Sequence, residues 1–288
     1  MKEFFKKCRF NSETLSMIDK ANEIIERYSA EGYRLTLRQL YYQFVSINQI
    51  TNEERSYKRL AKIVSDGRLA GLIDWDAIED RGRRPDVPRE FSGLEELAQA
   101  AVASYRLPRW TGQEHYCELW VEKQALASVL EPLALEFHVT LMVNKGYSSQ
   151  SAMYEAAGRF KDTDLERRLF YLGDHDPSGE DMVRDISERM EMFGVVGLEV
   201  EKIALTMAQI EKYKPPPNPA KITDPRAQAY IAEHGNQSWE VDALPPKLLQ
   251  QLIRRAFEDV IRQETMDTVI AQEKADKIAL LEAVRGLT

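Results

Sequence analysis

The sequence predicts a mixed α/β chain, with an N-terminal helical region, then a mainly parallel sheet, then C-terminal helices. Three observations carry that expectation. Amphipathic helical spacing dominates to about residue 105, short apolar runs alternate with helical segments from residue 115 to about 205, and helical spacing returns from Pro245. With 43% hydrophobic and 30% charged residues in 288, the composition suits one large globular domain or two ordinary ones.

In chain order, Asn11 to Ala30 reads as an amphipathic helix presenting Leu15, Ile18, Ile24, Ile25 and Tyr28. A second helix opens on the capping pattern Thr36-x-x-Gln39, and a third on Thr51-x-x-Glu54, with Tyr57, Leu60, Ala61 and Val64 along one side. "GLIDWDAI" reads as a short strand and "EDRGRRPDVPRE" as a charged loop. Three helices, a strand and a basic loop suggest a winged-helix variant of the helix-turn-helix. Leu94 to Tyr105 reads as a further helix and "RLPRWTGQEH" as a linker, which places a first domain at 1–110 and a second at 115–288.

The second domain alternates. "CELWV", "VTLMV", "RLFYLG" and "LEVEKIAL" read as strands, separated by helices at Gln124 to Phe137, Ser149 to Phe160 and Ser178 to Met192. "KPPPNPAK" reads as an extended loop.

Composition excludes several classes. No apolar run approaches the roughly 20 residues that span a bilayer. The basic N-terminus has no apolar signal core, and Cys8 and Cys117 have no metal-ligand spacing, so a cytoplasmic location is expected. The net charge of −8 is uneven: 19 Lys and Arg stand against 17 Asp and Glu through Trp110, and 20 against 30 thereafter. Arg55 to Arg89 alone holds nine basic and six acidic residues, including Arg81, Arg83 and Arg84. A basic N-terminal stripe suits phosphates and an acidic second half suits a metal, although a solvated surface explains the same charges. Without a Gly-rich phosphate loop, no ATPase activity is expected.

The chemistry concentrates in "RLFYLGDHDPSGEDM". Asp174 and Asp176 follow an apolar strand, where alternation predicts their side chains on one side and His175 on the other, with Ser178 and Asp181 at capping positions. Open parallel sheets hold ligands at the carboxyl ends of their strands. Two aspartates there suit Mg²⁺, with Mn²⁺ as a substitute, and Glu122 after "ELWV" occupies the matching place. A lone Asp-x-Asp is more often a cap or turn; the pairing with a strand-ending Glu-Lys about 50 residues earlier is more specific.

These residues resemble a known family. Glu122 with "DHDPSG" is similar to the Toprim domain of topoisomerases, bacterial primases and certain nucleases. "VEKQA" and "NKGYSS" resemble more narrowly the topoisomerase VI A subunit and the meiotic double-strand-break transesterases, where a winged-helix domain precedes the Toprim domain. The family signature Arg-x-x-Tyr-Tyr is matched by Arg38-Gln-Leu-Tyr41-Tyr42. The likeness runs from about Leu35 to Ile261, and the short chain resembles the compact "mini-A" branch, for which "NPAKITDPRAQAY" and "SWEVDALPP" speak.

The resemblance implies Mg²⁺-dependent cleavage of double-stranded DNA by a homodimer. Tyr42 would form a 5′-phosphotyrosyl bond, Glu122, Asp174 and Asp176 would hold the metal on the partner subunit, and Glu122 could also move a proton. Strand passage would need a separate ATPase subunit. On a helical wheel of about 100° per residue, Leu37, Leu40, Tyr41, Phe44 and Val45 share an apolar face. Tyr42 falls outside it beside Arg38, so Tyr41 is expected in the core and Tyr42 exposed next to a cation.

Alternatives remain. Tyr42 could only touch a phosphate or partner, leaving a Toprim nuclease that uses metal-activated water. Glu240 and Asp242 of "WEVDAL" would then serve a second metal, or orient ligands, or cap a helix. A non-catalytic DNA-binding protein of the same fold is the third reading. Lys58, Arg59, Lys62 and Arg68 on the third helix are candidate phosphate contacts, as are Lys123 and Lys145, for which pairing with nearby carboxylates is the simpler expectation. His115, His138, His175 and His234 are scattered in sequence and suggest no zinc site.

Overall fold

A computed structural model describes residues 1–32, 34–79, 88–144, 148–220 and 222–285. Lys145 and the basic loop with Arg81, Arg83 and Arg84 lie outside the described residues.

Asn11 Oδ1 accepts from Thr14 N and caps helix α1 (Ser12–Ala30). Its buried stripe is Met17, Ile18, Ala21, Ile24, Ile25 and Tyr28; Leu15, expected in that stripe, is exposed. After the two-residue strand β1 (Leu35–Thr36), the Thr36–Gln39 capping box forms as expected and starts α2 (Leu37–Ser46). Helix α3 (Glu54–Leu69) begins later than its sequence signal, because Thr51 Oγ1 pairs with Ser56 Oγ and caps no helix. "GLIDWDAI" is mostly loop, with only β2 (Ile78–Glu79) pairing in parallel with β1. These elements close around Leu40, Phe44, Leu60, Val64 and Ile73, and the same core takes in Ala243 from the second half of the chain.

Helix α4 (Leu94–Ser104) buries none of its residues and packs on the C-terminal helix. There Tyr105 Oη donates to Asp276, and buried Glu273 accepts from Leu107 N and Arg109.

The second half builds one parallel four-stranded sheet. Its elements are β3 (His115–Val121), α5 (Ala127–Phe137), β4 (Thr140–Val143), α6 (Gln150–Lys161), β5 (Glu166–Leu172), α7 (Pro177–Met192) and β6 (Leu198–Ala204). The strand order is β4-β3-β5-β6, with Val121 in register with both Val143 and Leu172. A core through Leu119, Leu130, Phe170 and Phe257 covers one face, and one through Trp120, Met153, Tyr171 and Met182 the other. Helix α8 (Met207–Tyr213), β7 (Asn218–Pro219), α9 (Ala227–His234) and β8 (Gln237–Ser238) lead into a 3₁₀ turn, Val241–Ala243. Helices α10 (Pro246–Glu258) and α11 (Gln263–Arg285) complete the chain. Among the described residues, no helix is long and apolar enough to cross a membrane.

Candidate active site

The central strands β3 and β5 end side by side, so Glu122 and Asp174 meet at one end of the sheet. Glu122 Oε2 accepts from Asp174 N at 3.0 Å and from Tyr171 Oη at 3.4 Å. Asp174 then leaves the strand: Oδ1 accepts from Val241 N at 2.9 Å, and Oδ2 lies 3.0 Å from Lys123 Nζ. The strand ends at Leu172, so alternation no longer sets the side chains that follow.

Asp176, rather than Ser178, caps α7, accepting from Gly179 N at 2.7 Å and Ser178 Oγ at 2.8 Å. Pro177 supplies the first helical position, where a missing N–H costs nothing. A Cβ on Gly179 would stand 2.2 Å from the Asp174 carbonyl oxygen, so this turn admits only glycine. His175 is buried away from the carboxylates, with Nδ1 2.8 Å from Tyr230 Oη. Its ring lies 4.8 Å from that of His234, a proximity the sequence separation hides.

Two residues that the sequence ranked low are central. Glu240 and Asp242 flank Val241, and the turn they form packs on α2 of the N-terminal domain. Lys123 Nζ reaches Glu240 Oε2 at 2.6 Å and Asp242 Oδ1 at 3.0 Å. Arg38 binds Glu240, and its Nε lies 3.0 Å from Asp242 Oδ2. Arg38 and Lys123 therefore tie both domains to the same two carboxylates.

Tyr42 corrects the helical-wheel expectation. It is 3% exposed, because the Val241–Ala243 turn covers the flank of α2 that a lone helix would leave open. Its neighbours are as expected: Arg38 stands 5.8 Å over its ring, and its hydroxyl bonds the Asn218 side chain. Burial, Glu240 and Asp242 together push the phenol well above its ordinary range, against the pull of Arg38. Tyr41 is in the core as expected, with its hydroxyl 2.9 Å from Asn52 Oδ1.

The electrostatics are those of a site short of positive charge. Burial pushes the Asp174 carboxyl up to about 7; Lys123 opposes this, while Glu122, Asp242 and Glu240 add to it. For Glu240, burial also pushes upward, but Lys123 and Arg38 outweigh it and hold the carboxyl at about 2. Five carboxylates, all hard oxygen donors, thus share two cations, and that donor set fits Mg²⁺ or Mn²⁺. As the side chains lie, Asp174 and Asp176 face protein partners. Among the described residues, no three Asp, Glu, His or Cys side chains already converge on one point that would hold an ion.

The remaining candidate contacts divide. Lys62 is exposed, Lys58 pairs with Glu54 and Arg59 with Glu13, all on the surface of α3. Arg68 turns inward, donating to the carbonyls of Trp75 and Ile78, which makes it a structural residue more than a phosphate contact. Lys123 pairs with carboxylates, the simpler of its two expectations. Asn144, which the sequence did not single out, follows β4 beside Glu122 and is buried, with neither side-chain atom hydrogen-bonded among the described residues. No protein-family model matches the chain, and no curated protein matches it.

Proposed function

We propose that this chain is a magnesium-dependent enzyme that cleaves double-stranded DNA by tyrosine transesterification, with a winged-helix domain feeding a Toprim domain. One observation carries the reading. Tyr42, Arg38, Lys123, Asp174, Glu240 and Asp242 form one continuous charged cluster beside Glu122, at the carboxyl end of a parallel sheet.

In the proposed reaction, Tyr42 Oη attacks the scissile phosphorus while the P–O3′ bond breaks. A 5′-phosphotyrosyl link forms, and the phenolic proton ends on the departing 3′-oxygen. Arg38, a turn before Tyr42, stabilises negative charge on the phenolate and the phosphate oxygens. Lys123 supplies a second fixed positive charge. A divalent ion on Glu122, Asp174 and Asp176 would supply Lewis-acid stabilisation of the phosphoryl group. Two chains in a cytoplasmic homodimer would present one such site to each strand, and any ATP-driven strand passage would be left to a partner subunit.

The burial of Tyr42 favours a second reading, in which water hydrolyses the DNA and Tyr42 only supports Arg38. The test incubates supercoiled plasmid with protein and Mg²⁺ or Mn²⁺, stops it with detergent, and compares gels with and without protease. Covalent protein on cut DNA, lost in Tyr42→Phe, supports transesterification. Cutting that persists in Tyr42→Phe but vanishes in Asp174→Ala supports hydrolysis. No cutting by the wild type overturns both.

A further inference from the structure

We infer that Lys123 stands where a second divalent cation would otherwise sit, so that the centre takes one metal ion per chain. This rests on the carboxylate centre proposed above and specifies its composition.

Two-ion phosphoryl-transfer centres hold their metals about 3.5–4 Å apart, commonly with a shared carboxylate between them. Here Glu122 and Lys123 are consecutive residues leaving β3, and both reach Asp174. Glu122 accepts from its backbone N–H, and Lys123 meets its Oδ2. Asp174 is thus placed as a bridging carboxylate between two positions. One is bounded by Glu122 and Asp176. The other is bounded by Glu240 and Asp242, and an ammonium fills it.

The fit of that ammonium is close. An ammonium has three N–H donors, and Nζ has three carboxylate oxygens around it, at 2.6, 3.0 and 3.0 Å. Its side chain is 17% exposed and that of Asp242 is 0% exposed, leaving little access for the water shell that Mg²⁺ retains. The oxygens facing away from Lys123 are engaged as well, with Arg38 binding Glu240 and standing 3.0 Å from Asp242 Oδ2. Asp242 Oδ2 is buried without an aligned hydrogen bond, which marks a cradle shaped more for charge than for directed donors. The two extra carboxylates are therefore already matched by two fixed cations, while Glu122 and Asp176 have none within ion-pair range among the described contacts. A metal ion adds charge where it is missing.

The test counts ions without turnover. Metal-stripped protein is titrated with Mn²⁺ in the absence of DNA, and free Mn²⁺ is read by electron paramagnetic resonance. Wild type and Lys123→Arg are expected to bind one ion per chain, and Lys123→Ala two. Lys123→Ala lacks a buried counter-charge, so its circular-dichroism melt is followed as well. Millimolar Mn²⁺ is expected to raise its Tm by more than that of wild type. Two ions in wild type would overturn the inference and leave the metal-dependent reading intact. So would a folded Lys123→Ala that binds one, or a destabilised one that Mn²⁺ does not restore. No ion bound by wild type would overturn the metal-dependent reading itself.

Discussion

Replacing Asp174 by Asn should stabilise the protein at neutral pH while abolishing its chemistry. The folded protein holds the Asp174 proton up to about 7, whereas the ordinary value is 3.8. Between those values the unfolded chain has released a proton that the native state still binds, so stability falls as pH rises. Below pH 4 both states are protonated and the contribution is nil; above pH 7 both are ionised and the full penalty applies. At about 1.4 kcal/mol per pH unit, a gap of roughly three units sets an upper bound of about 4 kcal/mol. Asparagine keeps an acceptor for Val241 N but gives up the ion pair with Lys123, which retains Glu240 and Asp242. The net gain at pH 8 is therefore set at about 1–4 kcal/mol, shrinking towards zero by pH 4.5. Urea unfolding followed by tryptophan fluorescence, in chelator, measures it directly. Saturating Mg²⁺ should then reverse the order, since an ion at 100 times its Kd contributes about 2.7 kcal/mol to wild type alone. An Asp174→Asn protein less stable than wild type at pH 8 would refute the reasoning. It would mean that the Lys123 pair outweighs the crowding of negative charge.

Gly179→Ala should cost about 1–3 kcal/mol or more, because its Cβ would press on the Asp174 carbonyl. The same shift would move the Asp174 carboxylate, so DNA cleavage should fall further than the folded fraction, read by gel assay against a thermal melt. Arg159→Met should cost about 3–5 kcal/mol by leaving fully buried Glu118 without its bidentate partner at 2.7 and 2.9 Å. Glu118 lies four strand residues, about 13 Å, from Glu122. Cleavage per folded molecule should therefore be unchanged, in contrast to Gly179→Ala.

The features legible in the sequence are those fixed by neighbours close along the chain. The capping box at Thr36, the four strands of the sheet and the helices between them depend on spacings of two to four residues, and they stand where expected. Glu122 and Asp174 were recoverable because a parallel sheet brings strand ends together whatever the intervening length. What failed was set from a distance. Thr51 carries a capping signal but is diverted by Ser56. Helix α4 adjoins the N-terminal helices in sequence, yet docks on α11, whose Glu273 collects Leu107 and Arg109. Tyr42 was judged on the wheel of an isolated helix, and the covering residues lie some 200 positions later. The one available hint was composition: "WEVDAL" sets two acids around an apolar residue, a pattern suited to pairing with cations while Val241 packs inward.

The same seam decides how a buried tyrosine can serve as a nucleophile. Arg38 and Glu240 are partly exposed, with side chains 43% and 23% accessible, so their ion pair adds only about 0.2–1 kcal/mol to domain closure. A DNA phosphate offers Arg38 the same bidentate acceptor geometry that a carboxylate does. Phosphate binding at Arg38 would therefore exchange one acceptor for another, while releasing counterions that favour the complex. The turn that covers Tyr42 is held on its other side by Lys123 and by Val241 N on Asp174, both within the second domain. Displacing Arg38 thus loosens α2 from the turn without dismantling the carboxylate centre. The contact that buries Tyr42 is then the one DNA is best equipped to replace, and cleavage should weaken with rising salt more steeply in wild type than in Arg38→Gln.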